Sequence, residues 1–276
     1  MLGAIAGDII GSVYEGKVGW QSARTPHFRP LFHPKARFTD DTVLTVAVAD
    51  GILHGGDLVD LFKKYARSYP SVGYGGTFRR WAASESREPY QSWGNGSAMR
   101  VTPVGYAYDS LDEVLLRAKG TAQVTHDHPE GIKGAQATAA AVFLARTGNS
   151  KEAIRRYIEE RFDYFLDETL NDLRPTYQFD VSCQWSVPQS ILAFLESTGY
   201  EDAVRNAISL GGDGDTMACI AGSIAEAYYG GVPAAIARPI LARLDNRLRS
   251  IVREFGEHYG IALGDAEDDA APGMKI

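Results

Sequence analysis

Three stretches of the chain combine helical spacing with an unusual abundance of glycine and alanine. They are residues 2–14, 132–145 and 217–229. Small side chains let neighbouring helices approach each other closely, which suits elements that are surrounded on all sides. We therefore expect these three segments to form central, buried helices, and this expectation limits the fold more than any other feature of the sequence.

The other apolar residues recur at intervals typical of amphipathic helices. Such runs lie at residues 43–53, 57–65, 111–118, 150–165 and 240–255. No segment alternates apolar and polar residues over several positions, as a half-buried strand would. The sequence therefore predicts an all-α, single-domain globule of orthogonally packed helices, with amphipathic helices around a Gly/Ala-rich centre.

The domain is expected to cover residues 1–263, followed by a mobile acidic tail over 264–276. Two prolines suggest helix starts. Pro188 is expected near the first turn of one helix, and Pro239 is expected to begin the last long helix.

Charge and cysteine content narrow the possible functions. The formal net charge is −7, whereas a protein that binds nucleic acid or membrane surfaces would favour a basic face. The first residues are apolar, but they lack a basic start and include Asp8, so neither a signal peptide nor a membrane span is expected. Cys183 and Cys219 are predicted to be buried free thiols. A cytoplasmic protein is the expectation, with its oligomeric state left open.

The most informative polar motif is Gly-Gly-Asp-Gly-Asp-Thr at residues 211–216, which leads into the third Gly/Ala-rich segment. Gly214 lets the backbone bend, so that Asp213 and Asp215 can point at one spot. Capping a helix N-terminus is the commonest use of Asp and Thr at such a position. For this motif taken alone, capping is the leading alternative.

A second motif of the same kind, Thr39-Asp40-Asp41-Thr42, also begins a helix. A cap needs one side-chain acceptor, or two in a capping box, so two adjacent acids exceed that need. Four carboxylates brought together would repel one another unless a cation lay between them. Ligand sets made only of oxygen suit Mg²⁺, Mn²⁺ or Ca²⁺. We therefore predict a two-metal carboxylate site that joins these distant motifs.

Other polar features have more than one interpretation. The glycine-rich turn at residues 94–100 offers N–H groups to an anion, although a plain turn is the commoner origin of such a sequence. His126 and His128 lack further Cys or His neighbours, so zinc is not expected, and a ligand contact and solvated histidines stay open. Glu15, near the end of a helix, carries a charge that is unfavourable there. Residues 16–37 lack periodicity and are expected to form a loop.

Five of these segments, in order, resemble the ADP-ribosylglycohydrolase family, which includes bacterial dinitrogenase reductase-activating glycohydrolases and ADP-ribosylserine and ADP-ribosylarginine hydrolases. The segments are residues 3–15, 39–42, 94–100, 125–126 and 211–216. The resemblance extends from the first residues to about Gly230. It implies an all-α fold, two Mg²⁺ or Mn²⁺ ions, and a substrate that is an ADP-ribosylated protein or a small ADP-ribose ester.

The resemblance also implies roles for individual positions. The implied metal ligands are Thr39, Asp40, Asp41, Asp213, Asp215 and Thr216. The implied ligand-binding residues are Gly94, Asn95, Gly96, Ser97 and His126, with Gly75 and Gly76 as a turn that helps to enclose the ligand. Glu15 matches an acid on a mobile loop near the metals. Gly214 replaces the Thr of many members, which is expected to leave coordination intact.

The implied reaction is attack of water on the anomeric carbon of the distal ribose. The ions would lower the pKa of that water and orient the ribose, and Asp40 or Asp215 would accept a proton. Glu15 or a second carboxylate would assist the leaving group. An arginine-linked substrate is the first expectation, and serine-linked ADP-ribose or O-acetyl-ADP-ribose is the second. A non-catalytic ADP-ribose-binding protein and a metal-stabilised scaffold are the alternatives from other functional classes.

Overall fold

The computed structural model describes residues 1–15 and 24–264. In that part of the chain it contains 15 helices and no sheet, and its single β-type pairing is an isolated bridge between Gly94 and Ser182. The predicted all-α fold is confirmed. The helices are α1 (Leu2–Gly11), α2 (Asp40–His54), α3 (Leu58–Ser68), α4 (Gly76–Ala83), α5 (Gly96–Met99), α6 (Thr102–Ala107), α7 (Leu111–Gln123), α8 (Pro129–Arg146), α9 (Lys151–Phe162), α10 (Leu170–Leu173), α11 (Cys183–Leu195), α12 (Tyr200–Ser209), α13 (Gly214–Tyr229), α14 (Ala234–Arg243) and α15 (Asn246–His258).

The three Gly/Ala-rich segments form the centre, as their composition predicts. Every residue of α1 is buried, and so is α13 from Gly214 to Glu226. Helix α8 is buried over most of its length between Gly134 and Ala145. Outer helices such as α15 instead bury a single stripe, formed there by Leu248, Val252 and Phe255.

Helices α1 and α13 run antiparallel and touch along Gly3, Gly7 and Gly11, which follow one another at one-turn spacing. A Cβ atom at Gly7 would lie 2.0 Å from the carbonyl oxygen of Ala218, and one at Gly11 would lie 2.5 Å from the Cα atom of Asp215. Only hydrogen fits at these positions. The contact therefore places the beginning of α13 beside the end of α1.

The predicted start of one helix is wrong. Pro188 lies inside α11, which begins at Cys183. The N–H of Cys183 donates to the carbonyl oxygen of Trp93 at 2.9 Å, so the first residue of this helix is held by a distant part of the chain. A tertiary contact of this kind leaves no local signal in the sequence.

The predicted start of the last helix is also wrong. Pro239 lies inside α14, and α15 begins after Asp245, whose side chain accepts a hydrogen bond from the N–H of Leu248. An aspartate at the N-cap favours the beginning of a helix more strongly than a proline does, because its side chain satisfies a backbone N–H that has no partner within the helix. One apolar stripe in the sequence is therefore divided between two helices.

The end of α1 differs from the sequence prediction, whereas the described part of the loop after it agrees. Helix α1 ends at Gly11 rather than near Tyr14. The N–H of Tyr14 donates to the carbonyl oxygen of Gly11 at 2.7 Å, three residues back, so the chain forms a turn there instead of continuing the α-helix. Residues 24–37 are turns and bends, as expected, whereas residues 16–23 of that loop lie outside the described residues. The predicted tail lies outside them from residue 265 onward. No helix among the described residues is both long and apolar enough to cross a membrane.

Replacing Gly7 by Ala should lower the free energy of unfolding by about 3 kcal/mol, because the added methyl group would overlap the α13 backbone. Gly120 in α7 is the matched control, since a Cβ atom there meets no described atom within 4 Å. Gly120→Ala should raise stability by up to about 1 kcal/mol through helix propensity. Urea denaturation followed by circular dichroism measures both. Equal stability of Gly7→Ala and the wild type would show that α1 and α13 are not in backbone contact.

Candidate metal centre

Asp8, to which the sequence analysis gave no role in the site, anchors one of the two acid motifs. Its buried carboxylate accepts hydrogen bonds from the N–H and hydroxyl of Thr39 at 2.9 and 2.7 Å. It also accepts from the N–H of Thr42 at 3.1 Å and from the Thr42 hydroxyl. Asp8 thus caps α2 from a neighbouring helix and fixes the turn that carries Asp40 and Asp41. The sequence signal is a single acid inside an apolar helix that is predicted to be buried.

The two acid motifs meet in the structure. The hydroxyl of Thr216, at the start of α13, donates to Oδ2 of Asp41, at the start of α2, over 3.3 Å. Both helices begin at the same place because the glycines of α1 admit α13 closely while Asp8 of the same helix holds α2. The convergence on which the two-metal prediction depends is therefore present.

The carboxylate oxygens form two overlapping groups. One oxygen each from Asp8, Asp41 and Asp215 lie within 4.8 Å of one another, and so do one oxygen each from Glu15, Asp213 and Asp215. Asp215 belongs to both groups. The arrangement therefore offers two adjacent sets of oxygen ligands with one carboxylate in common.

Helix capping does not explain all of these acids. Asp213 occupies the N-cap position of α13, yet among the described residues its side chain accepts no capping hydrogen bond. Its Oδ2 instead accepts from Nδ2 of Asn95 at 2.7 Å. In α2 the cap is Thr39, whose hydroxyl accepts from the N–H of Asp41. Capping therefore accounts for the Thr39 hydroxyl and for Oδ1 of Asp215, which accepts from the N–H of Thr216 at 2.9 Å, but it does not account for Asp41 or Asp213.

The acids lie together, four of them buried and Asp40 partly buried, and no ion pair compensates their charge. None of the ion pairs between described residues involves Asp8, Asp40, Asp41, Asp213 or Asp215. Burial raises the pKa of Asp8 and of Asp213 to about 6 and that of Asp40 to about 7. Burial, followed by repulsion from neighbouring acids, raises the pKa of Asp41 and of Asp215 well above the ordinary value.

This set of donors fits hard divalent cations. All the converging atoms are carboxylate and hydroxyl oxygens, which Mg²⁺, Mn²⁺ and Ca²⁺ prefer over softer metals. Oδ1 of Asp41 is buried and has no hydrogen-bond partner within the described structure, so it is free to coordinate an ion. A cation would also remove the repulsion that raises the pKa values.

The acids form the base of a pocket of about 370 Å³. The predicted site residues that line it are Glu15, Thr39, Asp40, Asp41, Gly75, Gly76, Gly94, Asn95, Gly96, His126, Asp213, Asp215 and Thr216. Ser97 differs, because its side chain is fully buried and its hydroxyl donates to the carbonyl oxygen of Gly131 at 2.7 Å. The Ser97 hydroxyl therefore stabilises the glycine-rich turn and does not face the pocket.

The two histidines of the polar turn have separate roles. His126 is buried, and its Nδ1 lies 2.7 Å from the hydroxyl of Thr125. Burial, and secondarily the positive charge of Arg100, hold the pKa of His126 well below its usual range. His128 caps α8, since its side chain accepts from the N–H of Glu130. Neither histidine fits the interpretation of a solvated pair.

The glycine-rich turn is held in place by the segment that precedes α11. The N–H of Asn95 donates to the carbonyl oxygen of Val181 at 2.7 Å, and the thiol of Cys183 donates to the carbonyl oxygen of Gly94 at 3.0 Å. Both cysteines are free and buried, as predicted. Val181 also lines an adjoining pocket of about 510 Å³, which shares further residues with the main pocket and is lined in part by Trp93 and Phe179. Nothing in the sequence indicates this second pocket.

The fold and the site together define the class of protein. A model of the ADP-ribosylglycohydrolase family matches residues 1–265, and the chain belongs to that family. It is therefore a glycosidic-bond hydrolase by class.

Individual relatives agree with this assignment. The chain is 28% identical to ADP-ribosylhydrolase ARH3 of Mus musculus, over 83% of this chain and 82% of the mouse protein. It is 27% identical to the ADP-ribosyl-(dinitrogen reductase) glycohydrolase of Rhodospirillum rubrum, over 70% of this chain and 69% of the bacterial protein. A solved structure described as an ADP-ribosylglycohydrolase-related protein complex has the same fold, with a TM-score of 0.66 at 23% identity and coverage of 93% and 96% of the two chains.

The metal-free protein should lose stability as the pH rises from about 4 to about 7. In the unfolded chain the aspartates titrate near their ordinary pKa of 3.8, whereas in the folded protein Asp8 and Asp213 titrate at about 6 and Asp40 at about 7. Over this window the unfolded state releases protons that the folded state keeps, so the free energy of unfolding falls. Thermal unfolding in EDTA at about pH 5 and about pH 7.5 measures the effect.

Asp41→Asn is the control for this measurement, because it removes one charge from the cluster without changing its shape. The variant should show a smaller loss of stability with pH than the wild type, and Mg²⁺ should restore the wild type at the higher pH. A wild-type protein in EDTA that loses no more stability than Asp41→Asn would contradict the proposed repulsion.

Proposed function

We propose that the protein uses two Mg²⁺ or Mn²⁺ ions to release ADP-ribose from modified protein side chains by hydrolysis of the glycosidic bond. The observation that carries the proposal is the pair of oxygen groups that share Asp215 at the base of the pocket. A site with two adjacent cations can orient a ribose and its attacking water at the same time. The family assignment supplies the class of reaction.

The proposed metal ligands are the six residues that the resemblance implies: Thr39, Asp40, Asp41, Asp213, Asp215 and Thr216. When bound, the ions would neutralise these acids and lower the pKa of a water molecule in the pocket. Asp8 and Glu15 also contribute oxygens to the two groups, whereas Asp40 belongs to neither group and is proposed as a ligand on the resemblance alone. Because Asp8 already accepts hydrogen bonds from two threonines, we assign it to holding the ligand-bearing turn. Asn95 holds Asp213 in the same way.

Two carboxylates are placed to move protons. Asp40 is half-buried and lines the pocket, so its carboxylate can reach a water molecule held there. Glu15 is exposed, and one of its oxygens lies close to oxygens of Asp213 and Asp215. We assign proton acceptance from water to Asp40, with Asp215 as the alternative, and assistance of the leaving group to Glu15.

The remaining surface of the pocket suits the rest of ADP-ribose. Gly94 and Gly96 bring the backbone of the turn close to the pocket, and His126 lies directly beside them. A diphosphate at this turn would place the distal ribose over the acids. The adenosine would then extend past Val181 into the adjoining pocket, where Trp93 and Phe179 offer aromatic surface.

An arginine-linked substrate is our first proposal for the linkage. Glu15 is an exposed acid at the pocket, and a carboxylate there can form paired hydrogen bonds with a departing guanidine. Serine-linked ADP-ribose and O-acetyl-ADP-ribose are the second candidates, because their leaving groups need only a single proton donor.

Asp213→Asn should reduce hydrolysis by at least about 100-fold and weaken Mg²⁺ binding, because it removes an anionic metal ligand. Asp57→Asn is the matched control, since Asp57 occupies an equivalent N-cap position but does cap its helix, with its side chain accepting from two backbone N–H groups. That variant should keep wild-type activity and metal affinity. Isothermal calorimetry and release of ADP-ribose measure the two properties, and native activity in Asp213→Asn would exclude the metal assignment.

Hydrolysis of a panel of substrates tests the linkage and the class of function. The panel contains ADP-ribosylated arginine and serine peptides and O-acetyl-ADP-ribose, each with Mg²⁺, Mn²⁺ or EDTA. We expect release from the arginine peptide to be fastest and to stop in EDTA. Tight ADP-ribose binding without release from any substrate would identify a non-catalytic binder, and unfolding in EDTA without nucleotide binding would identify a scaffold.

A further inference from the structure

We infer that Arg100 and Thr125 act as positioning residues that fix His126 as its neutral Nε2–H tautomer. In this form the ring donates a hydrogen bond to an anionic group held at Gly94 and Gly96. The identity of that group as the diphosphate of ADP-ribose rests on the proposed function. The tautomer itself follows from contacts within the protein.

Arg100 supplies the first constraint. Its side chain is fully buried, with the guanidinium over the ring of Phe62 at 4.5 Å. Nη2 donates to the carbonyl oxygen of Thr121 at 3.0 Å and to Oγ1 of Thr125 at 2.8 Å. A guanidinium has no acceptor, so the Thr125 hydroxyl must accept in this contact. The hydrogen bond from Arg100 therefore occupies one of the two lone pairs of Oγ1.

The hydroxyl proton of Thr125 then has a defined acceptor. Oγ1 lies 2.7 Å from Nδ1 of His126. The positive guanidinium that donates to Oγ1 makes the hydroxyl a stronger donor and its remaining lone pair a weaker acceptor, so the hydroxyl donates its own proton to Nδ1. An imidazole nitrogen that accepts carries no proton, so in the neutral ring the proton must lie on Nε2.

The Nε2 side of the ring faces the glycine-rich turn. A Cβ atom at Gly96 would lie 3.1 Å from Nε2, and one at Gly94 would lie 3.6 Å from it. Glycine at these positions leaves the Nε2–H group open to the pocket, which His126 lines. An anion that occupies the turn would therefore meet a hydrogen-bond donor.

The opposite tautomer would hinder the same ligand. If Nδ1 carried the proton, Nε2 would present a lone pair to the anion and repel it. The lowered pKa of His126, caused by burial and by Arg100, agrees with a ring that stays neutral. The ring is thus a donor of fixed orientation rather than a group that exchanges protons during the reaction.

Nitrogen NMR of the full chain with ¹⁵N-labelled histidine, in Mg²⁺ and without nucleotide, tests the tautomer at about neutral pH. The His126 signals are assigned by their loss in His126→Gln. The wild type should show a protonated Nε2 and an unprotonated Nδ1. In Thr125→Val the fraction of Nε2–H should fall, and Thr125→Ser should restore it. A protonated Nδ1 in the wild type, or an unchanged fraction in Thr125→Val, would overturn the inference.

A double-mutant cycle for ADP-ribose binding separates positioning from packing. Thr125→Val should weaken affinity by about 5- to 10-fold, and Thr125→Ser should rescue it. In His126→Gln the amide N–H replaces the Nε2–H donor and has no tautomer to select, so Thr125→Val should add little further loss. An equal loss in both backgrounds would show that Thr125 acts only through packing and would overturn its positioning role.

The two proposals can fail separately. A wild-type protein that shows the Nε2–H tautomer but binds no ADP-ribose would contradict the proposed function and leave the positioning role in place. A protein that binds ADP-ribose with His126 protonated on Nδ1 would contradict the positioning role and leave the proposed function in place. Thermal unfolding of each variant confirms that it is folded before binding is measured.

Discussion

The site depends on the backbone contact between α1 and α13. Gly7 and Gly11 remove the side chains that would otherwise hold these helices a full helix diameter apart. Because Asp8 lies on α1 between them and Asp215 lies at the start of α13, the same contact brings the acids of two distant motifs together. Asp8 then extends the arrangement to a third helix by capping α2. A widening of this single contact would move Asp213 and Asp215 away from Asp8 and Asp41.

Such a cluster lowers the stability of the folded protein when no cation is bound. Five aspartates are held close together with raised pKa values, and none forms an ion pair with another described residue. Burial and mutual repulsion therefore oppose folding near neutral pH, and the largely apolar packing around α1 and α13 must offset them. A cation would turn the same repulsion into attraction. The centre is thus expected to be weakly stable without metal and to prefer hard cations.

The acids and the glycine-rich turn form one connected unit. Asn95 lies in that turn, with its side chain on Asp213 and its backbone N–H on Val181. His126 lies on the other side of the turn and is held by Thr125 and Arg100. A negatively charged ligand part would therefore meet neutral donors, while a hydroxyl-bearing part would meet the cations. This division of charge within one pocket suits a molecule such as ADP-ribose, which has both kinds of group.

The sequence by itself determined the helical class, the central position of the Gly/Ala-rich segments and the two acid motifs, because periodicity and residue chemistry are local properties. It did not reveal the site role of Asp8, the burial of the Ser97 hydroxyl, or the true starts of α11 and α15. Three of these depend on a partner far away in the chain, namely Thr42 for Asp8, Gly131 for Ser97 and Trp93 for Cys183, whereas α15 begins at a local cap, Asp245. Only the tertiary structure decided which oxygen atoms lie within reach of one ion, because that distance is set by how closely two helices pack.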